Sequence, residues 1–399
     1  MLGLLFGFLV LLRLLWVFFR KGFISYEFLF LASVFVYLIL IPELSGGMDA
    51  ITGATARASW FFYISLFIYC LFYLLGLRLV VPKRYLNFYG NQEAEFPSVR
   101  RNKSQGAAYR VTLFFGILLC AYSLISRNIF NGGSFLFTII GFDLLLVAYF
   151  LERNRRRNAV NFTFFCFLLA VFLFAGFRYR LFILAAVEAA VYLKRDGRVV
   201  YKGFILAFLF VFSLFMAGVG QVRSYGNISN YSRLFSLDLN PVGLIVASGE
   251  QTVSFATISV VERVEELKLA GLEPFSVLLT YFIPRVIYPE KIPANYLTAY
   301  FEVSYELRGT GAAMHDLAQA ILMFGFYGLP AAALLLGSFI GFFYRFAAKR
   351  SPNFYFSTGV LVLFAFLIPT RGYLAQQVTW ALTFLGPLIL ASFLRRVRF

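Results

Sequence analysis

Acidic residues are scarce in this 399-residue chain: 19 Asp and Glu stand against 36 Lys and Arg, and charged residues make up only 14%. A soluble domain carries about 25% charged residues, so an ordinary water-solvated globule is excluded. The three cysteines, Cys70, Cys120 and Cys166, lie far apart in apolar runs. They are too few and too dispersed for a disulfide framework or a zinc site, and buried core positions are expected for them. There is a single histidine, His315. No Walker loop, HExxH helix or GxSxG nucleophile elbow occurs, which excludes the chemistries those motifs carry. Nor is there the Asp-rich pair that holds a metal and a sugar nucleotide in soluble glycosyltransferases, so metal-free, nucleotide-free chemistry and no cofactor are expected.

The chain is instead 61% hydrophobic and 20% aromatic, a composition that points to lipid as its main solvent. Apolar stretches long enough for helical spans fall near 2–19, 23–42, 59–80, 109–126, 134–151, 159–177, 180–193, 203–220, 319–344, 355–369 and 374–394. The first has no basic leader and no small-residue cleavage site, so it reads as a retained helix rather than a signal peptide. The expected fold is an all-α polytopic membrane protein, a single membrane domain over 1–399. Eight helices fill 1–220, a long loop occupies 221–318, and three helices fill 319–399.

The net charge of +17 is distributed by loop. Arg20-Lys21, the basic run between Arg78 and Arg110, ERNRRR at 152–157, KRDGR at 194–198, Arg345 with Lys349-Arg350, and Arg395-Arg396 with Arg398 all fall on alternate sides of the spans. Lys and Arg accumulate in cytoplasmic loops. Placing all six groups inside yields about eleven helices, an outside N-terminus and an inside C-terminus. No RNA-binding signature accompanies the charge, and no nucleic-acid partner is expected.

Residues 221–318 are nearly balanced in charge and are expected outside. Within them Val253, Ala256, Val260, Val264 and Leu267 recur at helical spacing, with Gly271 as a stop. This predicts an amphipathic helix lying on the bundle or at the membrane surface. The following YFIPRVIYPEK, 281–291, contains prolines that forbid a regular helix, which makes it a rigid external loop.

Arginines gather at the outer ends of spans and in this loop: Arg178, Arg180, Arg223, Arg285 and Arg371. Guanidinium is always charged and forks onto phosphate oxygens, so converging arginines suit a diphosphate. Headgroup snorkelling is the alternative. His315 and Asp316 stand where the loop re-enters the membrane. They could take a proton from a hydroxyl, or be an ordinary helix N-terminal pair favoured by the dipole. Asp143 and Glu188 lie within spans and read first as partners of interior groups such as Arg13, and second as a proton or ion path.

Taken together, PRVIYPEK at 284–291, HDLAQAILMFGFYGL at 315–329, the arginines of FRYRL at 177–181 and QVR at 221–223, and RG at 371–372 resemble the O-antigen polymerase group of oligosaccharide repeat-unit polymerases. The resemblance covers about 175–395. One departure is His315-Asp316, where many relatives carry Gly-Glu. The sister O-antigen ligases use a loop histidine, so polymerase and ligase both stay open.

The resemblance implies a membrane-embedded C-type glycosyltransferase fold in a bacterial plasma membrane, with its active site facing the periplasm or outside. The implied substrates are undecaprenyl-diphosphate-linked oligosaccharides as donor and acceptor, with membrane lipid and a chain-length regulator as further partners. Arg178, Arg180, Arg223, Arg285, Lys291 and Arg371 would bind the donor diphosphate. Arg285 would also stabilise the leaving group, and His315 or Asp316 would act on the acceptor hydroxyl, with inversion. A flippase of lipid-linked sugars is the competing class. It should show paired halves and mid-membrane charges, whereas this chain has no evident repeat.

Overall fold

The computed structural model describes residues 2–21, 25–44, 56–86, 103–125, 133–152, 158–174, 178–195, 251–281, 283, 287–290, 314–351, 353–370 and 374–396. All regular structure among them is helical. The principal helices are α1 (Leu2–Lys21), α2 (Tyr26–Leu44), α3 (Ala56–Val80), α4 (Lys103–Ile125), α5 (Gly133–Glu152) and α6 (Asn158–Phe174). They continue with α7 (Arg178–Arg195), α8 (Gln251–Arg263), α9 (Glu273–Tyr281), α10 (Asp316–Arg350), α11 (Phe354–Thr370) and α12 (Leu374–Arg396).

Helices thus occur at ten of the expected apolar stretches, and 203–220 lies outside the described residues. Among the described residues three of them, Tyr26–Leu44, Trp60–Val80 and Asp316–Arg350, are long and apolar enough to cross a membrane. Leu5–Phe18, Gly106–Tyr122, Asn161–Leu173 and Phe354–Thr370 are shorter apolar helices. Phe61, Phe67, Leu71 and Leu79 on α3 all face outward, as lipid-solvated helices do and water-solvated ones rarely do in such number.

Two compact units divide the chain, each built from segments distant in sequence. The first comprises Met1–Phe88, Gly249–Arg345 and Phe364–Trp380. Within it α3 and α10 approach each other closely at two glycines. A Cβ on Gly337 would stand 2.2 Å from the Tyr73 carbonyl oxygen, and one on Gly76 would stand 2.3 Å from that of Leu334. Only glycine permits such a backbone approach, the small-residue device by which helices associate in lipid. Ser338 Oγ donates to the Gly76 carbonyl at 3.2 Å across the same seam. The seam is what brings Tyr69 and Tyr73, one turn apart on α3, against the core.

Helix α10 is broken. Gly325 has φ +68° and ψ −168°, which interrupts the ladder and frees carbonyls of the preceding turn. Two are taken up by the chain that follows α8: Ala270 N–H donates to the Leu322 carbonyl at 2.7 Å and Gly271 N–H to that of Met323 at 2.9 Å. Gly271 is itself left-handed, φ +54°. Residues 264–272 therefore act as a strap over the break. The helix predicted to run to Gly271 ends earlier, at Arg263. Its apolar face lies against α2 and α3, with Val253, Ala256, Val260 and Val264 buried as expected and Leu267 only partly so.

The second unit comprises Tyr89–Ser248, Phe346–Leu363 and Ala381–Phe399. Its helices α4 and α5 form a close hairpin, and α7 packs on the first half of α11. Asn353 caps α11 by accepting from Phe356 N–H at 2.8 Å and donates to the Phe150 carbonyl at 2.9 Å. Of the cysteines expected in cores, Cys120 is buried, Cys70 is half-buried and Cys166 is exposed on α6. Cys166 faces outward on a helix where Phe162 and Phe167 do the same, as on a lipid-facing surface.

Candidate functional site

The first turn of α10 carries His315 and Asp316, both fully buried in the first unit. His315 is an N-cap. Its Nδ1 accepts the Leu317 N–H at 3.2 Å, and its carbonyl accepts that of Ala318 at 2.9 Å. Its own N–H donates to Thr257 Oγ1 at 2.9 Å, so α8 sets the position of this turn. Thr257 in turn donates to the Val253 carbonyl at 2.6 Å. His315 lies just outside the apolar span, and burial pushes its pKa down to about 3, because a charged imidazolium is disfavoured away from water.

Asp316 is met from α12. Gln377 Nε2 donates to Asp316 Oδ1 at 2.5 Å and to the Ile368 carbonyl at 2.9 Å. One turn along α10, Gln319 Oε1 accepts the Leu374 N–H at 3.1 Å, which satisfies an orphan donor in the first turn of α12. The Tyr69 and His315 rings meet in a T-shaped contact, with centroids 5.7 Å apart and planes at 80°. Tyr73 stacks on Phe30 at 4.7 Å. Tyr26 Oη lies 3.3 Å from Tyr73 Oη and donates to the Phe364 carbonyl at 3.0 Å. Phe364 lies in a π-helical turn, and a second π turn, Val36–Leu40, has its Tyr37 carbonyl taken by Ser254 Oγ. Such π turns leave carbonyls off the regular ladder and are common near functional sites.

Five polar atoms of this cluster are buried with no hydrogen-bond partner: Tyr69 Oη, His315 Nε2, Asp316 Oδ2, Gln319 Nε2 and Gln377 Oε1. Buried polar groups are nearly always paired, so this concentration sets the cluster apart from the rest of the first unit.

The arginines fare differently. Arg180 is buried in the second unit and forms an ion pair with Asp143, Nε to Oδ1 at 2.7 Å. That pair accounts for Asp143 inside an apolar helix, and it engages an arginine expected at the diphosphate. Arg13, thought of as a partner for Asp143 or Glu188, pairs instead with Glu27, which Arg78 also approaches at 3.4 Å. Glu188 accepts from Tyr149. Arg178 is the first residue of α7. Arg223, Arg285, Lys291 and Arg371 lie outside the described residues. In the proline-bearing stretch, Tyr281 ends α9 and Ile283, Ile287, Tyr288 and Glu290 are exposed.

Sequence reasoning missed Tyr69, Thr257, Gln319 and Gln377. Gln319 and Gln377 are uncharged polar residues in apolar helices, and that was the available signal. No known protein family, no curated protein and no solved structure matches the chain.

Proposed function

We propose that this chain is a polymerase that joins polyprenyl-diphosphate-linked oligosaccharide repeat units at the outer face of a bacterial plasma membrane, with eleven spans, N-terminus out and C-terminus in. The observation that carries this reading is the buried Asp316, held by Gln377 with its second oxygen unpartnered, beside His315 in the motif that resembles the polymerases. In the proposed step the acceptor hydroxyl oxygen attacks the anomeric carbon of the donor. The bond from that carbon to the diphosphate oxygen breaks, the hydroxyl proton passes to Asp316, and polyprenyl diphosphate leaves. One displacement inverts the anomeric centre, unlike hydrolysis by two flanking carboxylates. Arg285, Lys291 and Arg371 are assigned to the departing diphosphate, whose growing charge they would stabilise. The reading requires no metal, so activity is expected to survive chelation with EDTA.

A second reading has one observation in its favour. α10 breaks at Gly325, about two and a half turns beyond the buried Asp316, and interrupted helices hold substrate and ion sites in transporters. A flippase of lipid-linked sugars would use that feature without catalysis.

Deleting the gene in the native host and resolving the surface polysaccharide on a gel tests these readings. A product cut to one repeat unit on its final acceptor is the expected result. Long chains retained on the polyprenyl carrier would replace the polymerase with a ligase. Loss of all repeats from the outer leaflet would replace it with the flippase.

A further inference from the structure

The unpartnered atoms of the cluster are not of one kind. Because His315 Nδ1 accepts the Leu317 N–H, it carries no hydrogen, and a neutral imidazole then bears its hydrogen on Nε2. Gln377 is oriented by two acceptors, Asp316 Oδ1 and the Ile368 carbonyl, so its free atom is the oxygen. Gln319 accepts through Oε1, so its free atom is the amide nitrogen. The open valences are therefore two donors, His315 Nε2–H and Gln319 Nε2–H; two acceptors, Asp316 Oδ2 and Gln377 Oε1; and the Tyr69 hydroxyl, which is both.

This mixture selects against ions. A bare cation would meet two N–H groups, and a diphosphate would meet a carboxylate and an amide oxygen. Water or an alcohol donates and accepts at once, so a single hydroxyl can take a donor such as His315 Nε2–H and an acceptor such as Asp316 Oδ2 together, though not all five groups. Buried water typically makes about three hydrogen bonds to otherwise unsatisfied groups.

We infer that the cluster is a binding site for a single hydroxyl group, filled by water at rest, in which His315 donates through Nε2–H and Asp316 is the proton acceptor. The assignment of that hydroxyl to an acceptor sugar rests on the polymerase reading; the water site and the tautomer do not. His315 is then a positioning residue, and the base role falls to Asp316 alone. The titratable groups facing the cluster include Asp316 from α10, Tyr69 and Tyr73 from α3 and Tyr26 from α2, the tyrosines all interacting electrostatically with Asp316, with Thr257 from α8 on the His315 backbone.

As the only histidine, His315 provides a direct probe. The full chain, labelled with ring-15N histidine in lipid bilayers, is measured by solid-state NMR at neutral pH, with water as the ligand. One protonated Nε2, one bare Nδ1 and magnetisation transfer from water to Nε2–H are expected. A hydrogen on Nδ1, an imidazolium, or a dry Nε2–H would overturn the inference. In Asp316→Asn the tautomer should persist while the Nε2 shift moves, because the shared water loses its carboxylate partner; an unmoved shift would mean that no single ligand links the two residues. A host phenotype pointing to a flippase would leave these spectra unchanged, so failure of the polymerase reading is seen separately from failure of the site.

Discussion

Gln377 on α12 holds Asp316 on α10 with one amide hydrogen at 2.5 Å and turns the other to the Ile368 carbonyl at 2.9 Å. Two helices from distant parts of the sequence are thereby joined through a buried carboxylate. The amide settles which oxygen of Asp316 is engaged and which is left open.

Removing that clamp leaves a buried acceptor unpaired, at a cost of about 1–3 kcal/mol. Gln377→Leu is therefore expected to lower the apparent Tm of the purified protein. In Asp316→Asn the same change should cost less, with a coupling of about 0.5–3 kcal/mol in the double-mutant cycle. Strict additivity would mean that the clamp contributes nothing.

Gly337→Ala should destabilise by about 1–3 kcal/mol, because its Cβ would overlap the Tyr73 carbonyl oxygen at 2.2 Å. Gly386→Ala is the control: nothing lies within 4 Å of its Cβ, and it sits within α12, where alanine is about 1 kcal/mol the better helix former. Thermal unfolding in detergent should rank the wild type between the two variants.

The strap over the break depends on the Ala270 N–H reaching the Leu322 carbonyl. Ala270→Pro deletes that donor and is expected to raise the rate of limited proteolysis within 264–272 severalfold. Gly325→Ala adds a side chain at φ +68° and ψ −168°, a glycine-favouring conformation strained by about 1–3 kcal/mol for other residues, and should weaken the same region. Proteolysis unchanged in both would show that the strap is not held by the break.

Burial lowers the His315 pKa to about 3, against about 6.5 in an unfolded chain. The unfolded state then binds more protons between these values, so acid favours unfolding. The contribution of His315 is fully present above about pH 6.5 and is lost as pH falls toward 3. His315→Gln, which cannot titrate, should flatten that part of the Tm–pH curve; an unchanged slope would place the acid sensitivity elsewhere.

Arg180→Ala leaves the buried Asp143 carboxyl without its ion-pair partner, a loss of about 3–5 kcal/mol. Low protein levels in the membrane are expected, with partial recovery in the Arg180→Ala, Asp143→Ala double variant. Arg285→Ala and Arg371→Ala should instead abolish product at normal protein levels. Wild-type activity in either would remove that residue from the diphosphate assignment.

Much of the architecture was legible because helix formation in an apolar chain is local. Runs of Phe, Leu and Tyr specify where helices lie, and ten of the expected stretches carry them within a few residues. The face of α8 was also readable from its periodicity. α9 was not: EPFSVLLTY is too short for a periodic signal, and it packs through Phe275 on Phe339 of α10 at 5.4 Å, a contact remote in sequence. Arg180 read as a ligand residue because its position near a helix start was visible and its partner, 37 positions away, was not.

By itself, then, the sequence determined a helical, lipid-solvated chain with His315 and Asp316 at the start of a long apolar helix. Only the tertiary structure decided what those two residues meet. Hydrogen bonding and desolvation depend on which side chains approach across space, and Thr257, Tyr69, Gln319 and Gln377 come to the site from four helices. The break at Gly325 was likewise unreadable, since a glycine in a helix takes a positive φ only when something, here the N–H groups of Ala270 and Gly271 in the strap, donates to the carbonyls it frees.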